Sequence, residues 1–360
     1  MFKALNLWLG SYIRNRPLKL PEEGDIHILI AICDHFEPLH KADLQKALER
    51  CKIWKAKLPL ITARFHDSDG IPPRHTFFYP IEQYKPQILD ELKEICDKTG
   101  AETEVHLHHD SDTESSLEEK LTIGINNLRK HGFLSVDNIG KVRYGFIHGN
   151  WAIANSHPQR LFCGVDNEID VLARTGCYAD FTMPSAPNPT QSRVINSIYY
   201  IKNDGKPRPI DRGEVVCVKT RDNEHKSGMK LLMVQGPLGL NWQWRKFGIF
   251  PRIENGDLTA ANPPTPTRFN VWIKLHIHVV GRPEWIFIKL HTHGGIEKNF
   301  NMLLEVPMFK FHSFLKDFSV RNPRFKYHYV SAREMVNIIH AAEDGLVGNP
   351  HHYRNYRYKR

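Results

Sequence analysis

The chain lacks the features that mark several common classes of protein. Its six cysteines form no C-x-x-C pair and no regular spacing, which argues against a disulfide framework. No apolar run is long enough to span a bilayer, no segment repeats at a fixed period, and the apolar stretch at the N-terminus is broken too early for a signal peptide. We therefore expect a cytoplasmic protein whose cysteines are reduced core residues.

Positive charge exceeds negative charge in the sequence. Lys and Arg number 49 against 40 Asp and Glu, a formal net charge of +9. Of the 360 residues, 41% are hydrophobic, enough for one large core, although two domains also fit this length. The positive surplus favours acidic partners, namely an anionic glycan, a nucleic acid or an anionic membrane surface, without choosing among them. The oligomeric state is not indicated by the sequence.

The two ends of the chain differ from the part between them. Residues 1–24 are predicted to form a helical extension whose apolar face either closes the fold or makes a peripheral membrane contact. Residues 346–360 form a basic, aromatic tail, a composition suited to nucleic acid but equally common in untethered termini. Because no nucleic-acid-binding motif accompanies the tail, we do not expect nucleic acid as a partner.

Short apolar runs alternate with helical patterns through the first half of the chain. Such β-α-β-α order predicts an α/β fold with a parallel sheet that is closed or nearly closed. The predicted strands are 26–33, 75–79, 103–107, 143–148 and 178–182, and the predicted helices are 41–64, interrupted at Pro59, and about 84–98, 114–131 and 166–174.

The pattern changes after residue 182. Residues 183–267 contain Pro-rich loops and β-like runs at 194–201, 214–219 and 230–235, which predict a β-rich insertion on the rim of the main domain, residues 25–345. The alternation then resumes, with a helix at 267–279, a strand at 285–290, a helix near 299–317, a strand at 326–330 and a helix at 331–344.

Three histidine-bearing runs follow predicted strands, at residues 34–38, 106–110 and 291–294. Parallel β/α folds keep their active sites where strands give way to loops. Imidazoles and carboxylates gathered at one rim suit a divalent metal, Zn²⁺ first. The sequence therefore predicts an enzyme with a metal site, although histidines at strand ends also serve simply to hydrogen-bond loop backbone.

Specific ligands follow from the spacing of these runs. His108 and Asp112 lie four residues apart and would hold one ion together if the loop begins a helical turn, with His35 as third ligand. His106 shares the strand face of His108 and is an additional ligand candidate. Asp34, beside His35, is either a ligand or the general base, and we favour the base.

Other strand ends supply candidates for acid catalysis and substrate binding. His291 ends an apolar strand and is a candidate general acid, with His293 on the same face. His148, Asn150 and Trp151 end another strand, where an indole suits the apolar face of a sugar ring and an amide suits its hydroxyls, although Trp151 as core filler fits equally.

The order of these segments resembles that of the polysaccharide deacetylase family. The family motif T-F-D-D-G is echoed at residues 32–36, and the family's histidine motif is echoed at 104–108, followed by Asp112. The third motif corresponds loosely to residues 146–150. The tyrosine-aspartate strand of the family resembles residues 175–180 and 184–185, and its final L-L-H motif resembles residues 289–291. The resemblance implies a distorted seven-stranded β/α barrel that removes acetyl groups from glycans with a metal. It places Asp34 at the position of the base and His35 at the position of a metal ligand, and it makes Asp180 a candidate substrate-binding residue.

The resulting prediction is a metal-dependent hydrolase that removes N- or O-acyl groups from a carbohydrate, in polysaccharide or glycolipid assembly. One alternative is glycosidic-bond hydrolysis, which needs two carboxylates, such as Asp34 with Asp180 or Glu37. Another is a catalytically inactive module that binds glycan or nucleic acid.

Overall fold

The computed structural model describes residues 2–15, 19–206, 208–219 and 230–360. The strands are β1 Ile26–His35, β2 Thr76–Pro80, β3 Glu102–Leu107, β4 Ser135–Val136, β5 Val142–His148, β6 Cys177–Asp180, β7 Ile198–Ile201, β8 Glu214–Val215, β9 Leu231–Val234, β10 Gly239–Lys246, β11 Phe250–Glu254, β12 Asp257–Leu258, β13 Trp285–Thr292 and β14 Phe325–Tyr329. The α-helices are α1 Leu5–Arg14, α2 Leu44–Arg64, α3 Pro86–Thr99, α4 Glu114–Lys130, α5 Glu168–Thr175, α6 Pro266–Leu275, α7 Phe300–Leu304, α8 Val306–Arg321 and α9 Ala332–Glu343.

The main sheet is mostly parallel, which confirms the predicted α/β class. Its strands run in the order β12-β13-β1-β2-β3-β5-β6-β9-β7-β8, with β14 also paired to β1 and β4 to β5. Among the described residues the two end strands, β12 and β8, do not pair with each other, and one isolated bridge links Cys217 near β8 to Val280 before β13. The parallel sheet is therefore established, whereas a closed barrel is not.

The segment predicted as a rim insertion contributes to this same sheet. Strand β9 pairs in parallel with β6, and β7 pairs antiparallel with β9, whereas β10 and β11 form a separate two-stranded sheet. Strand β12 adds to the edge of β13 and brings Asp257 opposite His291. The region at 183–267 is thus partly continuous with the sheet that carries the histidine runs.

Two helix predictions were wrong in detail. Helix α2 continues through Pro59, because the loss of one backbone hydrogen bond is offset by burial of Trp54, Leu58 and Ile61 on its inner face. Helix α6 ends at Leu275, and His276 adopts a left-handed conformation with φ 50°. The residues that follow alternate apolar and polar side chains, a period of two that favours extended backbone.

Helices cover both faces of the sheet, so its strands are apolar on both sides. One face of β1, with Ile28 and Ile30, belongs to a core shared with α2, α3 and α8. The opposite face, with Leu29, Ala31 and Cys33, packs in a core with α9, all of whose residues are buried. The polar residues at the strand ends are thereby fixed by a sheet that is packed from both sides.

Both terminal segments pack onto the protein. Trp8 of α1 is fully buried in a small core with Ile195 and Leu238. In the basic tail, the ring of Tyr358 stacks on buried Tyr178, so this aromatic ring is unavailable for stacking on bases. Within the described part of the chain, no helix has the length and apolarity required to cross a bilayer.

A buried ion pair joins α9 to β3, and its loss should destabilise the fold. The Arg333 guanidinium lies 2.6 Å from the Glu102 carboxylate and also donates to the backbone carbonyl of Tyr358 in the tail. We expect Arg333→Met to lower the free energy of unfolding by about 3–5 kcal/mol, because it leaves a buried carboxylate without its partner. Urea denaturation measures this change. Arg321→Met, on the exposed end of α8, is the control, and equal stability of the two variants would contradict the interpretation.

Candidate active site

Four imidazoles surround one carboxylate at the carboxyl ends of β1, β3 and β13. We call this group, His35, Glu37, His106, His108 and His293, the rim cluster. The Nε2 atoms of His106 and His108 lie 3.2 and 3.3 Å from the same Glu37 oxygen. The His35 ring lies 4.7 Å from that of His293 and 5.0 Å from that of His106, centroid to centroid. Parallel strands end at one edge, and this brings together residues that are more than 250 positions apart.

The rim cluster contains an ionised carboxylate, one ring whose pKa is raised and two rings whose pKa values are lowered. Burial opposes ionisation of Glu37, but hydrogen bonds with His106 and His108 hold its pKa well below the usual range. Burial also opposes protonation of His108, yet Glu37 and Glu82 raise its pKa to about 9. Burial lowers the pKa values of His35 and His293, which are therefore neutral rings with a free lone pair at pH 7.

The rim cluster fits a divalent metal ion. The ligand atoms of His35, Glu37 and His293 lie within 4.8 Å of one another, and so do those of Glu37, His106 and His108. The buried Nε2 of His35 has no hydrogen-bond partner among the described residues. Neutral imidazole nitrogens around an ionised carboxylate form a donor set typical of Zn²⁺ and similar ions.

Asp34 supports the rim cluster from behind. It is fully buried, and its oxygens accept hydrogen bonds from the backbone N–H of Gly294 at 2.5 Å and from Nε2 of His75 at 2.9 Å. Because both oxygens are engaged within the protein, these contacts position the carboxylate and leave it poorly placed to accept a proton from the cleft.

An open cleft of about 600 Å³ gives access to the cluster. Of the residues predicted to bind substrate, Asn150, Trp151 and His293 line it, and the Trp151 ring lies 6.0 Å from that of His293. The remaining wall is polar on one side, where Glu82 accepts a hydrogen bond from Nδ1 of His108 at 2.8 Å.

His291 and Asp180 are among the predicted site residues that lie outside the cleft wall. His291 is buried behind His35, with ring centroids 6.2 Å apart and its Nε2 4.0 Å from the Asp257 carboxylate. Burial lowers its pKa well below the usual range. Asp180 is fully buried, its carboxylate accepts hydrogen bonds from Thr182, and burial raises its pKa to about 7. Asp180 is therefore not placed to contact a substrate in this cleft.

The structure does not bring Asp112 to His35 and His108. Ser111 has a left-handed backbone, φ 53°, and α4 begins only at Glu114, so residues 108–112 do not form the expected helical turn. The Asp112 carboxylate instead accepts hydrogen bonds from Lys120 and lies 3.1 Å from Nδ1 of His109. The predicted pair of ligands was wrong for this reason.

His148 likewise turns away from the cleft, into a second group of donors. We call this group, His109, His148, Cys163 and Glu168, the buried cluster, since each of its side chains is buried and their ligand atoms lie within 4.8 Å of one another. A third group, Asp67, Asp69 and His328, lies at the opposite end of the sheet, where Arg354 already pairs with Asp67.

Sequence reasoning missed several of these residues. Glu37, at the centre of the rim cluster, entered only as a carboxylate for the glycosidase alternative, although its position two residues after His35 was a usable signal. His75 lies outside the three histidine-bearing runs, and its contact with Asp34 gives it a structural role. Cys163 lies in a loop and Glu168 follows it. The loop has no periodic sequence pattern, so the sequence gives no indication that these two residues meet.

Comparison with known proteins adds no assignment. No protein-family model matches the chain, and no curated protein is significantly similar to it.

The close approach of Gly294 to Asp34 generates a stability prediction. A Cβ at Gly294 would collide with the Asp34 carboxylate and lie 2.6 Å from the Trp54 ring. We expect Gly294→Ala to lower the free energy of unfolding by about 1–3 kcal/mol or more, the usual effect of overpacking. Gly10→Ala in α1, where the nearest atom is 3.7 Å away, is the matched control and should be neutral or stabilising. Thermal or urea denaturation compares the two, and an unaffected Gly294→Ala protein would contradict the contact.

Proposed function

We propose that the rim cluster binds a divalent metal ion, with Zn²⁺ as the leading candidate. We propose further that the protein removes an acyl group, with acetyl as the leading candidate, from a carbohydrate by hydrolysis. The observation that carries this proposal is the unpartnered Nε2 of buried His35 beside an ionised Glu37 in a cleft open to solvent. The choice of substrate class rests on the resemblance of the motif order to the polysaccharide deacetylase family and on the indole and amide that line the cleft.

Glu37, His106 and His108, whose ligand atoms lie within 4.8 Å of one another, would hold the ion, and His35, within the same distance of Glu37, would be a further donor. When bound, such an ion polarises an acyl carbonyl and lowers the pKa of water. Nδ1 of His106 donates to the carbonyl of Ile147 at 2.8 Å, so its Nε2, facing Glu37, carries either a second proton or a cation. The carboxylates of Glu37 and Glu82 around His108 favour a cation at the same place.

The neutral ring of His293 is our proposed proton acceptor. It lines the cleft beside His35, and its backbone is fixed by the hydrogen bond between Gly294 and Asp34. Asp34 then acts as a positioning residue, in place of the base that the sequence favoured. This assignment gives each group a role that its exposure allows, since a proton acceptor needs a lone pair that faces the substrate.

The sequence assigns His291 as proton donor to the departing group, but its ring lies behind His35, outside the cleft wall, and burial lowers its pKa so that it is neutral at pH 7. Its buried Nδ1 has no hydrogen-bond partner among the described residues. Asn150 and Trp151 would bind the sugar through its hydroxyls and its apolar face.

The glycosidase alternative is less well supported. It requires two carboxylates that face one bond in the cleft. Asp34 and Asp180 are fully buried and are both hydrogen-bonded within the protein, which leaves Glu37 without the partner that the sequence proposed.

Removal of the central carboxylate tests the metal assignment. We expect Glu37→Gln to lose about one metal ion per chain relative to the native protein and to lose release of acetate from an N-acetylated oligosaccharide, because the amide supplies no charge to hold the ion. Elemental analysis and acetate assay measure the two effects. His352→Gln, an exposed histidine, is the control. Unchanged metal content would overturn the assignment, and release of reducing sugar by the native protein would favour the glycosidase.

Replacement of His293 separates a proton acceptor from a ligand. We expect His293→Gln to retain its metal while acetate release falls about 10²–10⁴-fold, the usual contribution of a general base. His66→Gln, at an exposed position outside the cleft wall, should change little. Loss of metal from His293→Gln would make His293 a ligand, and unchanged turnover would remove it from the mechanism.

A further inference from the structure

Four donor groups from three separate segments converge in the buried cluster. His109 follows β3, His148 ends β5, Glu168 begins α5, and Cys163 lies in the 149–167 loop between the latter two. His148, Cys163 and Glu168 are fully buried, and the side chain of His109 is equally inaccessible. The cluster is therefore closed to substrate, unlike the rim cluster.

The spacing of the donors fits a tetrahedral site. The contacts of Glu168 with His109 and Cys163 are long hydrogen bonds, and its contact with Nε2 of His148 is not a hydrogen bond. Glu168 oxygens lie 3.4 Å from Nε2 of His109, 3.4 Å from Nε2 of His148 and 3.3 Å from Sγ of Cys163. Direct hydrogen bonds from nitrogen are most often about 2.9–3.0 Å long. Ligands on a tetrahedral Zn²⁺, with bonds of about 2.0–2.3 Å, are separated by about 3.3–3.7 Å.

His148 supplies the most direct geometric argument for a cation at this cluster. Its Nδ1 lies 2.5 Å from the carbonyl of Gly149, which can only accept, so Nδ1 carries the proton. In the neutral ring the other nitrogen, Nε2, then carries a lone pair. This buried lone pair faces a Glu168 oxygen and has no hydrogen-bond partner among the described residues. Two electron-rich atoms facing each other in the interior require a cation between them.

The surroundings of the cluster complete the arrangement expected of metal-binding histidines. Such rings usually have their other nitrogen beside a carboxylate or a backbone carbonyl. Asp112 lies 3.1 Å from Nδ1 of His109, and the Gly149 carbonyl accepts from His148. The Glu168 carboxylate accepts a backbone hydrogen bond from Ala154 at 2.6 Å, and its ion pairs within the described chain are with these two histidines alone.

We propose that His109, His148, Cys163 and Glu168 form a second, structural site for a thiolate-binding transition metal, Zn²⁺ first. A thiolate with two imidazoles selects Zn²⁺ over Mg²⁺ or Ca²⁺, and four protein donors leave no position for substrate. The ion ties the 149–167 loop to the ends of β3 and β5. Asn150 and Trp151 of the cleft wall belong to this loop and both have left-handed backbones, a strained conformation that needs such external support.

X-ray absorption at the zinc edge of the native, zinc-loaded protein tests this proposal without a variant. The rim cluster contains no cysteine, so sulfur scattering at about 2.3 Å from zinc reports the buried cluster alone. We expect that scattering in addition to nitrogen and oxygen scattering. Its absence would overturn the proposal and would indicate a hydrogen-bond network in which protonated His109 bridges Glu168 and Asp112. The result is independent of the rim cluster and of acetate release.

A cysteine variant with a matched control provides the second test. We expect Cys163→Ser to contain about one metal ion fewer per chain than the native protein and to lose the thiolate-to-metal absorption of the cobalt-substituted form, because this site has one sulfur ligand. Cys51→Ser makes the same change at another fully buried cysteine, and Glu37→Gln removes the rim site. Both controls should keep the thiolate absorption. Equal metal content and absorption in native and Cys163→Ser proteins would overturn the proposal, and the zinc-edge spectrum decides the question if Cys163→Ser does not fold.

Discussion

A single buried carboxylate fixes the geometry on which the site depends. Asp34 accepts hydrogen bonds from the backbone of Gly294 and from His75, and so joins the end of β1 to the turn after β13 and to the segment before β2. A carboxylate inside a protein is stable only when its oxygens are satisfied in this way. The neighbouring residues His35 and His293 are thereby held with their rings 4.7 Å apart. The rim cluster is thus set by a residue that does not line the cleft.

The two clusters use the same chemistry at different depths. In each, one carboxylate lies between two imidazoles, and the consecutive residues His108 and His109 belong to different clusters. Gly149 contacts both clusters. A Cβ at this position would collide with the His108 ring, and the Gly149 carbonyl accepts a hydrogen bond from His148. The cleft and the buried cluster therefore share a backbone junction, where movement of the 149–167 loop would affect both.

The sequence predicted the strands, and hence the edge at which the site lies, because β-prone apolar runs were bounded by polar residues. The prediction of site residues failed where the backbone conformation of a loop determines which way a side chain points. The left-handed Ser111 turns Asp112 away from the rim, and Glu37 lies beyond the end of β1, where alternation no longer fixes a side chain. Cys163 and Glu168 join His148 only through a loop whose path no periodic pattern describes. Strands were therefore placed at the correct edge, but the strand residues His148, Asp180 and His291 do not line the cleft, and the loop residues depend on a backbone path that no periodic pattern predicts.

The position of β1 within the sheet has a consequence for how the chain folds. This strand, the most apolar of the early part of the chain, is paired along its length with β13 and β14, whose residues lie more than 250 positions later, and only at its end with β2. Contacts between such distant residues carry a large loop-closure entropy and slow the folding of a domain. During synthesis, β1 stays without its main partners until β13 and β14 have emerged, which leaves an apolar strand open to non-native contacts in that interval.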